Sequence, residues 1–456
     1  MKINTKATVE PNYTHEGARA YDHMTPEQAL RRSVMACFLW ENNFYEDGVA
    51  IGERIKQLAD KVSLATVCAM AVEARTVHHL RHVSLWLLIS AIEKGRGNAL
   101  VADTVSKVIQ RADELAELLA MYWKDGKKPL SAQLKKGLAK AFQKFDAYAL
   151  AKYNRDNTVK LRDVLFLCHA KPKDDEQAAL WKGLASDTLA TPDTWEVALS
   201  SGADKKGVFE RLLQEGKLGY LALLRNLRNM TEAHVDKSLV KAAILARKGA
   251  HNVLPFRFVA AAKVAPAFEA ELDTAMLCIL SQEPKLPGKT VIVVDISGSM
   301  GSTLSAKSQM TRIDAACATA SIIRELCEDV AVYATAGNDW SRVHATALVP
   351  SRHGMALTDT IKGMDKVLGG GGIFLKQVMD YINEHEEHID RVIVITDEQD
   401  CANHPEDMPK NALPLGATRY MLNVGNNKNG IGYGKWTHID GFSENVVKYI
   451  LEIENN

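Results

Sequence analysis

Acidic and hydroxyl side chains come together directly after one apolar run of the chain. Asp295, Ser297 and Ser299 occupy every second position directly after the β-branched segment 291–294. Asp397 follows another apolar run. Carboxylate and hydroxyl oxygens are hard ligands of the kind that Mg²⁺ and Mn²⁺ prefer. We therefore predict that these four residues bind a divalent cation, with Mg²⁺ as the first choice. The alternative, that Asp295 and Asp397 cap loops or helices without an ion, stays open.

A second pattern is a concentration of positive charge in the first part of the chain. Residues 1–285 contain 41 Lys/Arg and 34 Asp/Glu, whereas residues 286–456 contain 15 and 22, although the net charge is zero. Residues 121–173 alone contain 13 Lys/Arg and 4 Asp/Glu. Such an excess suits a polyanion, because cations that neutralise phosphates release counterions. The alternative is a solvated helix face. We predict RNA contacts from Lys127, Lys128, Lys135, Lys136, Lys152, Arg155, His169 and Lys171.

The basic residues lie in a part of the chain with a helical pattern. From about residue 25 to residue 249, apolar residues recur at three- and four-residue spacing, which is typical of amphipathic helices. Helix-start signals such as Thr25-Pro26 and Ser131 separate the apolar runs. Because hardly any segment alternates like a strand, we predict paired helices that stack as a HEAT-like α-solenoid.

The acidic and hydroxyl residues lie in a part with a different pattern. From residue 286, β-branched runs alternate with helical patterns, which predicts a doubly wound α/β sheet of parallel strands. Ligands of such sheets bind at the carboxyl ends of the strands. The predicted domains are an N-terminal arm (1–24), a helical-repeat domain (25–285) and an α/β domain (286–456). The predicted strands are 290–295, 329–335, 343–349, 391–396 and 419–424, with helices at 311–327, 358–367, 374–384 and 444–454.

Composition and motifs disfavour several classes of protein. No stretch approaches the roughly 18 uninterrupted apolar residues of a membrane span, and the N-terminus lacks a signal-peptide core, so we expect a cytoplasmic protein. Seven cysteines without CxxC spacing predict neither disulfides nor a zinc site. The glycine run 369–372 lacks the Lys of a phosphate-binding loop, and no nucleophile–base set is present, so we expect no catalysis.

The motif around Asp295 resembles the von Willebrand factor A domain and its metal-ion-dependent adhesion site. That site combines Asp-x-Ser-x-Ser with a Thr on a second loop and an Asp on a third. Asp295, Ser297, Ser299 and Asp397 match the first and third parts. Where the family usually reads Gly-Gly-Thr-Asp, this chain has four glycines, 369–372. The missing hydroxyl implies that the ion is bound more weakly, or that an additional water takes the place of the hydroxyl.

The whole chain from about residue 25 resembles the Ro ribonucleoprotein autoantigen family, whose helical part is the TROVE module. The matching segments include residues 31–48, 81–85, 151–172 and 221–227, in that order, and the A domain follows them. The resemblance implies a ring of helical repeats closed by the A domain. It also implies Y-type noncoding RNA on the outer surface and single-stranded RNA 3′ ends in the central hole.

The family's Y RNA motif matches this chain incompletely. Lys152, His169 and Lys171 fall in register, but Asp156 stands at the position of the family's Arg, and the nearest Arg is Arg155. An acidic side chain facing phosphate would be repulsive. We expect either that Arg155 substitutes or that the RNA contact differs.

The expected function is a monomeric RNA-binding scaffold in RNA quality control or processing. An exoribonuclease, or another protein with an acidic side chain for the metal site, is the expected protein partner, and no membrane is involved. The alternative is a metal-dependent adhesion module with a helical spacer. A metal-dependent nuclease is less favoured, because two-metal hydrolysis needs more carboxylates than Asp295 and Asp397.

Overall fold

The structure is a computed structural model, and it describes most of the chain. The described residues are 13–14, 25–35, 48–190, 193–200, 202–253, 255–304, 309–404, 406–414, 418–425, 427, 430–432, 435–441, 446, 450 and 454. Apart from residues 13–14, the predicted N-terminal arm lies outside these ranges.

The chain divides into two compact units, each built from more than one segment. The helical unit comprises Val49–Gly219 and Asn229–Val240. The sheet unit comprises Met1–Gly48, Tyr220–Arg228 and Lys241–Asn456. The compact units have limits that differ from the predicted domain limits at residues 25 and 286. Those domain limits therefore stay predictions.

Helices make up the described chain up to residue 280. Each of α3, α5 and α7 packs against a helix close to it in sequence, namely α4, α7 and α9. None of the described helices is long and apolar enough to cross a membrane. The helices are α1 (Pro26–Met35), α2 (Gly48–Lys61), α3 (Leu64–Thr76), α4 (His82–Lys94), α5 (Ala99–Val108), α6 (Asp113–Tyr122), α7 (Ala132–Phe142), α8 (Ala147–Tyr153), α9 (Leu161–Cys168), α10 (Asp175–Ala185), α11 (Trp195–Ser200), α12 (Lys205–Gln214), α13 (Tyr220–Glu232), α14 (Lys237–Ala246), α15 (Phe256–Val264) and α16 (Glu269–Leu280).

The helix-start signals act as the sequence predicts. The Ser131 hydroxyl accepts a hydrogen bond from the backbone N–H of Leu134 (3.2 Å) at the start of α7. At the start of α1, the Thr25 hydroxyl accepts from the Gln28 N–H (3.2 Å), while the Gln28 side chain accepts from the Thr25 N–H (3.0 Å). Both arrangements satisfy N–H groups that the first helical turn leaves without partners.

The second half of the sheet unit is a six-stranded sheet with the order β3-β2-β1-β4-β5-β6. Residues 291–294 of β1 are fully buried, as expected where helices cover both faces. A helical region followed by a doubly wound α/β domain is therefore confirmed. The elements are β1 (Leu286–Asp295), α17 (Arg312–Glu325), β2 (Cys327–Asn338), β3 (Val343–Leu348), α18 (Gly354–Gly363), α19 (Asp365–Leu368), α20 (Leu375–His385), β4 (Arg391–Thr396), β5 (Thr418–Asn423) and β6 (Thr437–Asp440).

Several details of this sheet differ from the sequence prediction. β3 pairs with β2 in the antiparallel direction, because the short connection between Asn338 and Val343 permits a hairpin but no parallel crossover. β6 was not predicted, since its four residues Thr-His-Ile-Asp form no apolar run. The helix expected to begin at Thr358 begins at Gly354. The closing helix predicted for 444–454 lies mostly outside the described residues.

Candidate functional site

Asp295 is the last residue of β1 and lies at the carboxyl edge of the sheet. The Asp295 carboxylate is fully buried, and its Oδ1 accepts a hydrogen bond from the Ser297 N–H (2.8 Å). Its Oδ2 accepts from the hydroxyl of Thr396 (2.6 Å), the last residue of β4. The Ser297 and Ser299 hydroxyl oxygens lie 3.4 Å apart. Parallel pairing of β1 with β4 brings these groups together.

Asp397, directly after β4, joins the same cluster. Its buried carboxylate is hydrogen-bonded by the Ser299 side chain. Its Oδ2 accepts a hydrogen bond from Nη1 of Arg312 (2.7 Å), and the Arg312 side chain is itself buried. The structure therefore brings the four predicted ligands together, and it adds a guanidinium that the sequence prediction did not include.

Burial dominates the acid–base properties of this edge. It raises the pKa of Asp295 to about 6, and the negative charge of Asp397 adds to the rise. It also raises the pKa of Asp397, against the opposing effect of the Arg312 guanidinium. In the same loop, burial raises the pKa of Asp400 to about 7. The edge therefore holds buried carboxyl groups whose negative charge needs compensation.

The glycine run 369–372 approaches the loop after β1, since a Cβ at Gly298 would lie 3.4 Å from the Gly370 carbonyl oxygen. The Gly371 N–H donates to the carbonyl of Gly337 (3.0 Å), and the Gly372 N–H donates to the side chain of Asp339 (2.7 Å). A Cβ at Gly371 would collide with the Gly337 carbonyl, and one at Gly372 would collide with the Cys401 side chain. The glycine run, which corresponds to the second loop of the adhesion site, is thus closely packed at the place where the family usually has a hydroxyl ligand.

As arranged, these residues do not fit the divalent ion that the A-domain resemblance implies. Both Asp295 oxygens accept hydrogen bonds, and the Oδ2 of Asp397 faces Arg312. A guanidinium and a divalent ion on one carboxylate would repel each other. Among the described residues, no group of three or more His, Cys, Asp and Glu side chains is arranged to hold a metal. Metal binding by Asp295, Ser297, Ser299 and Asp397 stays a prediction.

A buried ion cluster, which sequence reasoning missed, joins α1 to β6 and to the loop after β4. Arg32 Nη1 lies 2.9 Å from Glu398 Oε1 and 4.0 Å from Asp440 Oδ1. His438 Nε2 contacts Glu398, and His438 Nδ1 lies 3.2 Å from Asp440 Oδ2. Arg32 also donates through Nε to the carbonyl of Asn427 (2.8 Å). The sequence indicates this cluster only through Arg32, a charged residue at a position on the buried face of α1.

The predicted RNA-binding residues all lie in the helical unit. Lys127 and Lys128 are in the loop between α6 and α7. Lys128 Nζ is 2.5 Å from Glu93 and 4.2 Å from the centre of the Tyr122 ring, so an acidic partner already compensates its charge. Lys127 Nζ is 5.8 Å from the centre of the Trp123 ring.

Lys135, Lys136, His169 and Lys171 lie on neighbouring elements, because α7 packs against α9. The charge of Lys135 lowers the pKa of the Cys168 thiol, next to His169, although burial raises that pKa overall. The side-chain amide of Gln143, at the end of α7, donates to the Lys171 carbonyl (2.9 Å). Within the described residues, none of the three lysines forms an ion pair with a carboxylate. They therefore provide positive charge that is not taken up in an ion pair with a described residue.

Lys152 and Arg155 lie at the end of α8 and in the loop that follows it. Lys152 Nζ is 3.2 Å from Glu196, whereas Arg155 is exposed and forms no ion pair with a described residue. Asp156 contacts Lys160, which compensates the acidic charge at the position where the family has Arg. The structure thus reduces the repulsion expected from Asp156 and leaves Arg155 accessible.

Two exposed aromatic side chains in the same region were missed by sequence reasoning. Phe166 on α9 is 61% exposed and Tyr148 on α8 is 52% exposed. The Lys152 ammonium lies 5.8 Å from the centre of the Tyr148 ring. Phe166 does not belong to the buried face of α9, which is formed by residues 161, 164, 165 and 168. The helical periodicity of the sequence could therefore have predicted that Phe166 is exposed.

Comparison with known families gives matches in both parts of the chain. The model of the TROVE domain matches residues 185–311, and the model of the Ro60 vWA domain matches residues 289–414. Together they cover residues 185–414, about half of the 456 residues. The basic segment 121–173 precedes both matches, so its assignment to RNA rests on its own residues.

Two known proteins are also similar. The crystal structure of the Ro (RSR) protein of Deinococcus radiodurans superposes with a TM-score of 0.54 at 17% identity, over 92% of this chain and 97% of that one. This likeness shows the fold. Mouse telomerase protein component 1 is 33% identical over 89 residues, which are 18% of this chain. The chain spans 3% of that relative's length. From the two consecutive domain matches and the shared fold, the chain belongs to the Ro family, with a TROVE domain followed by a Ro60-type von Willebrand factor A domain.

Proposed function

We propose that this protein is an RNA-binding scaffold without catalytic activity of its own. The observation that carries the proposal is a group of exposed or half-buried cations on α7 and around the ends of α8 and α9, none of which forms an ion pair with a described carboxylate. This group comprises Lys135, Lys136, Arg155 and Lys171. Cations without ion pairs and exposed aromatic rings, here Tyr148 on α8 and Phe166 on α9, suit phosphates and unpaired bases respectively. Membership of the Ro/TROVE family, a family of RNA-binding scaffolds, supports the same function.

The finer features are also proposals. The RNA is a Y-type noncoding RNA bound on the outer surface, and single-stranded 3′ ends of structured or misfolded RNA enter a ring of helical repeats. The protein acts as a monomer in the cytoplasm, in RNA quality control or processing. An exoribonuclease is the proposed protein partner. The Ro family resemblance supports each of these features.

The test compares two triple variants of the full chain that lose equal charge. Lys135→Ala/Lys136→Ala/Lys171→Ala removes three cations of the proposed surface. Lys61→Ala/Lys205→Ala/Lys237→Ala removes three exposed cations elsewhere in the helical unit. Affinity for an RNA hairpin with a single-stranded 3′ tail is measured between about 50 and 200 mM salt, the range over which phosphate contacts dominate.

The first variant should bind on the order of 100-fold more weakly than the wild type at low salt. Its plot of log affinity against log salt should be flatter by about two to three, because each lost phosphate contact removes about one from the slope. The second variant should stay close to the wild type. Equal losses in both variants, or wild-type binding that does not depend on salt, would contradict the proposed surface.

A further inference from the structure

The carboxyl edge of the sheet presents a problem of buried charge. Asp295 and Asp397 are both fully buried, and their loops meet through Ser297 and Ser299. Isolated carboxylates in such surroundings are strongly destabilising unless a cation or several hydrogen bonds compensate them. In A domains with an adhesion site, the resemblance implies that a divalent ion provides this compensation. Here the nearby cation belongs to the chain itself.

Arg312 is held in place by the start of α17. The Thr311 hydroxyl accepts from the Asp314 N–H (3.2 Å), and the Asp314 carboxylate accepts from the Thr311 N–H (2.8 Å). The Arg312 N–H donates to the carbonyl of Ser302 in the loop after β1 (2.9 Å). The side chain is 4% exposed, and its Nη1 reaches Asp397 Oδ2 at 2.7 Å. Capping and loop contacts therefore fix the guanidinium against the acidic cluster.

The second loop supports the same interpretation. Divalent ions in this type of site take a hydroxyl ligand from the second loop, and the close packing of Gly371 and Gly372 leaves no space for a side chain there. The chain thus lacks both the ligand and the space for it. A guanidinium needs neither, because it is bonded to the chain and donates directly to a carboxylate.

We propose that Arg312 is a built-in cation that takes the place of the divalent ion, so that the A domain is independent of metal. A buried guanidinium directed at Asp397 has no open coordination position. The domain therefore does not capture an acidic side chain of a partner through a bridging metal. This inference does not depend on RNA binding, since all its residues lie in the sheet unit.

The test uses Mn²⁺ as the probe, with the full chain and electron paramagnetic resonance to count bound ions. Wild-type protein should bind no Mn²⁺ at this site up to about 1 mM, and its thermal unfolding should be unchanged by EDTA or Mg²⁺. Arg312→Met removes the charge and keeps a side chain of comparable length. It should bind Mn²⁺ at least tenfold more tightly than the wild type, and adding Asp397→Asn should abolish that gain.

Two results would overturn the inference. One is wild-type Mn²⁺ binding in the micromolar range that Asp397→Asn removes. The other is a folded Arg312→Met protein whose affinity for Mn²⁺ equals that of the wild type.

If Arg312→Met does not fold, the test is whether a divalent metal ion restores its folding. The inference then requires that Arg312→Lys folds without metal and that millimolar Mg²⁺ or Mn²⁺ restores the Met variant. Failure of either would also overturn the inference.

Discussion

At the scale of single residues, His438 in the sheet unit is a histidine whose pKa is strongly raised by its neighbours. Burial alone would lower its pKa, but the carboxylates of Asp440 and Glu398 outweigh burial and raise the pKa to about 9. An imidazole in the unfolded chain titrates near pH 6.5. The folded protein therefore keeps this proton over a pH range in which the unfolded chain releases it.

The sign of the resulting pH dependence follows from linkage. The contribution of His438 to stability is fully present below about pH 6.5 and is lost as the pH rises to about 9, with a total on the order of 3 kcal/mol. Urea midpoints between pH 6 and 9.5 should therefore fall more steeply for the wild type than for His438→Asn. His388→Asn, a change at an exposed histidine, provides the control and should retain the wild-type slope. Parallel slopes for all three proteins would contradict the assignment.

At the scale of elements, α9 shows how one helix divides into a buried and an exposed face. Its buried residues are spaced at three and four positions, while Phe166 projects from the opposite side. The helix ends at Cys168, and the following residue, His169, adopts a left-handed backbone conformation with φ 52°. The exposed face of α9 therefore contributes little to the core and is available for a ligand.

Phe166→Ala should weaken RNA binding without loss of stability. Stacking of a base on an aromatic ring contributes about 1–3 kcal/mol, so affinity for the tailed hairpin should fall roughly 5- to 100-fold. The same RNA as a blunt duplex should be affected less, because its bases are already stacked. Leu245→Ala, at another exposed apolar residue of the chain, is the control. Unchanged binding of the tailed RNA by Phe166→Ala would exclude stacking at this position.

At the scale of the whole molecule, the N-terminal helix α1 and the C-terminal sheet belong to one compact unit. Arg32 and Asn427, which are joined by a hydrogen bond, are 395 positions apart in the chain. The four charges of Arg32, His438, Glu398 and Asp440 compensate one another, and none of the four side chains is more than 5% exposed. Long-range ion pairing therefore joins α1 to the core of the A domain.

Arg32→Met should destabilise the sheet unit. It leaves the Glu398 carboxylate with one cation fewer in a buried site, for which about 3–5 kcal/mol is typical. The neighbouring change Arg31→Met, at a residue that is only half-buried, should have a smaller effect. Thermal unfolding and limited proteolysis of the three full-length proteins provide the measurement. If Arg32→Met and Arg31→Met unfold at the same temperature, α1 does not stabilise the sheet unit through this ion cluster.

The sequence by itself determined the features that depend on local pattern. Three- and four-residue spacing located the helices, and the β-branched runs located five of the six described strands. The loop with Asp295 and Ser297 was predictable because its residues are close in sequence and follow a strand. The basic segment was visible from charge counts alone. Each of these signals lies within a short stretch of the chain.

Only the tertiary structure decided which distant groups meet. Arg312 and Asp397 are 85 positions apart, and no local pattern pairs a helix-start arginine with a strand-end carboxylate. The direction of β3 depended on the hairpin that precedes it, and β6 is stabilised by pairing with β5 rather than by an apolar run of its own. Compensation of buried charge acts through space. The cation at the predicted metal site therefore became apparent only when the chain was folded.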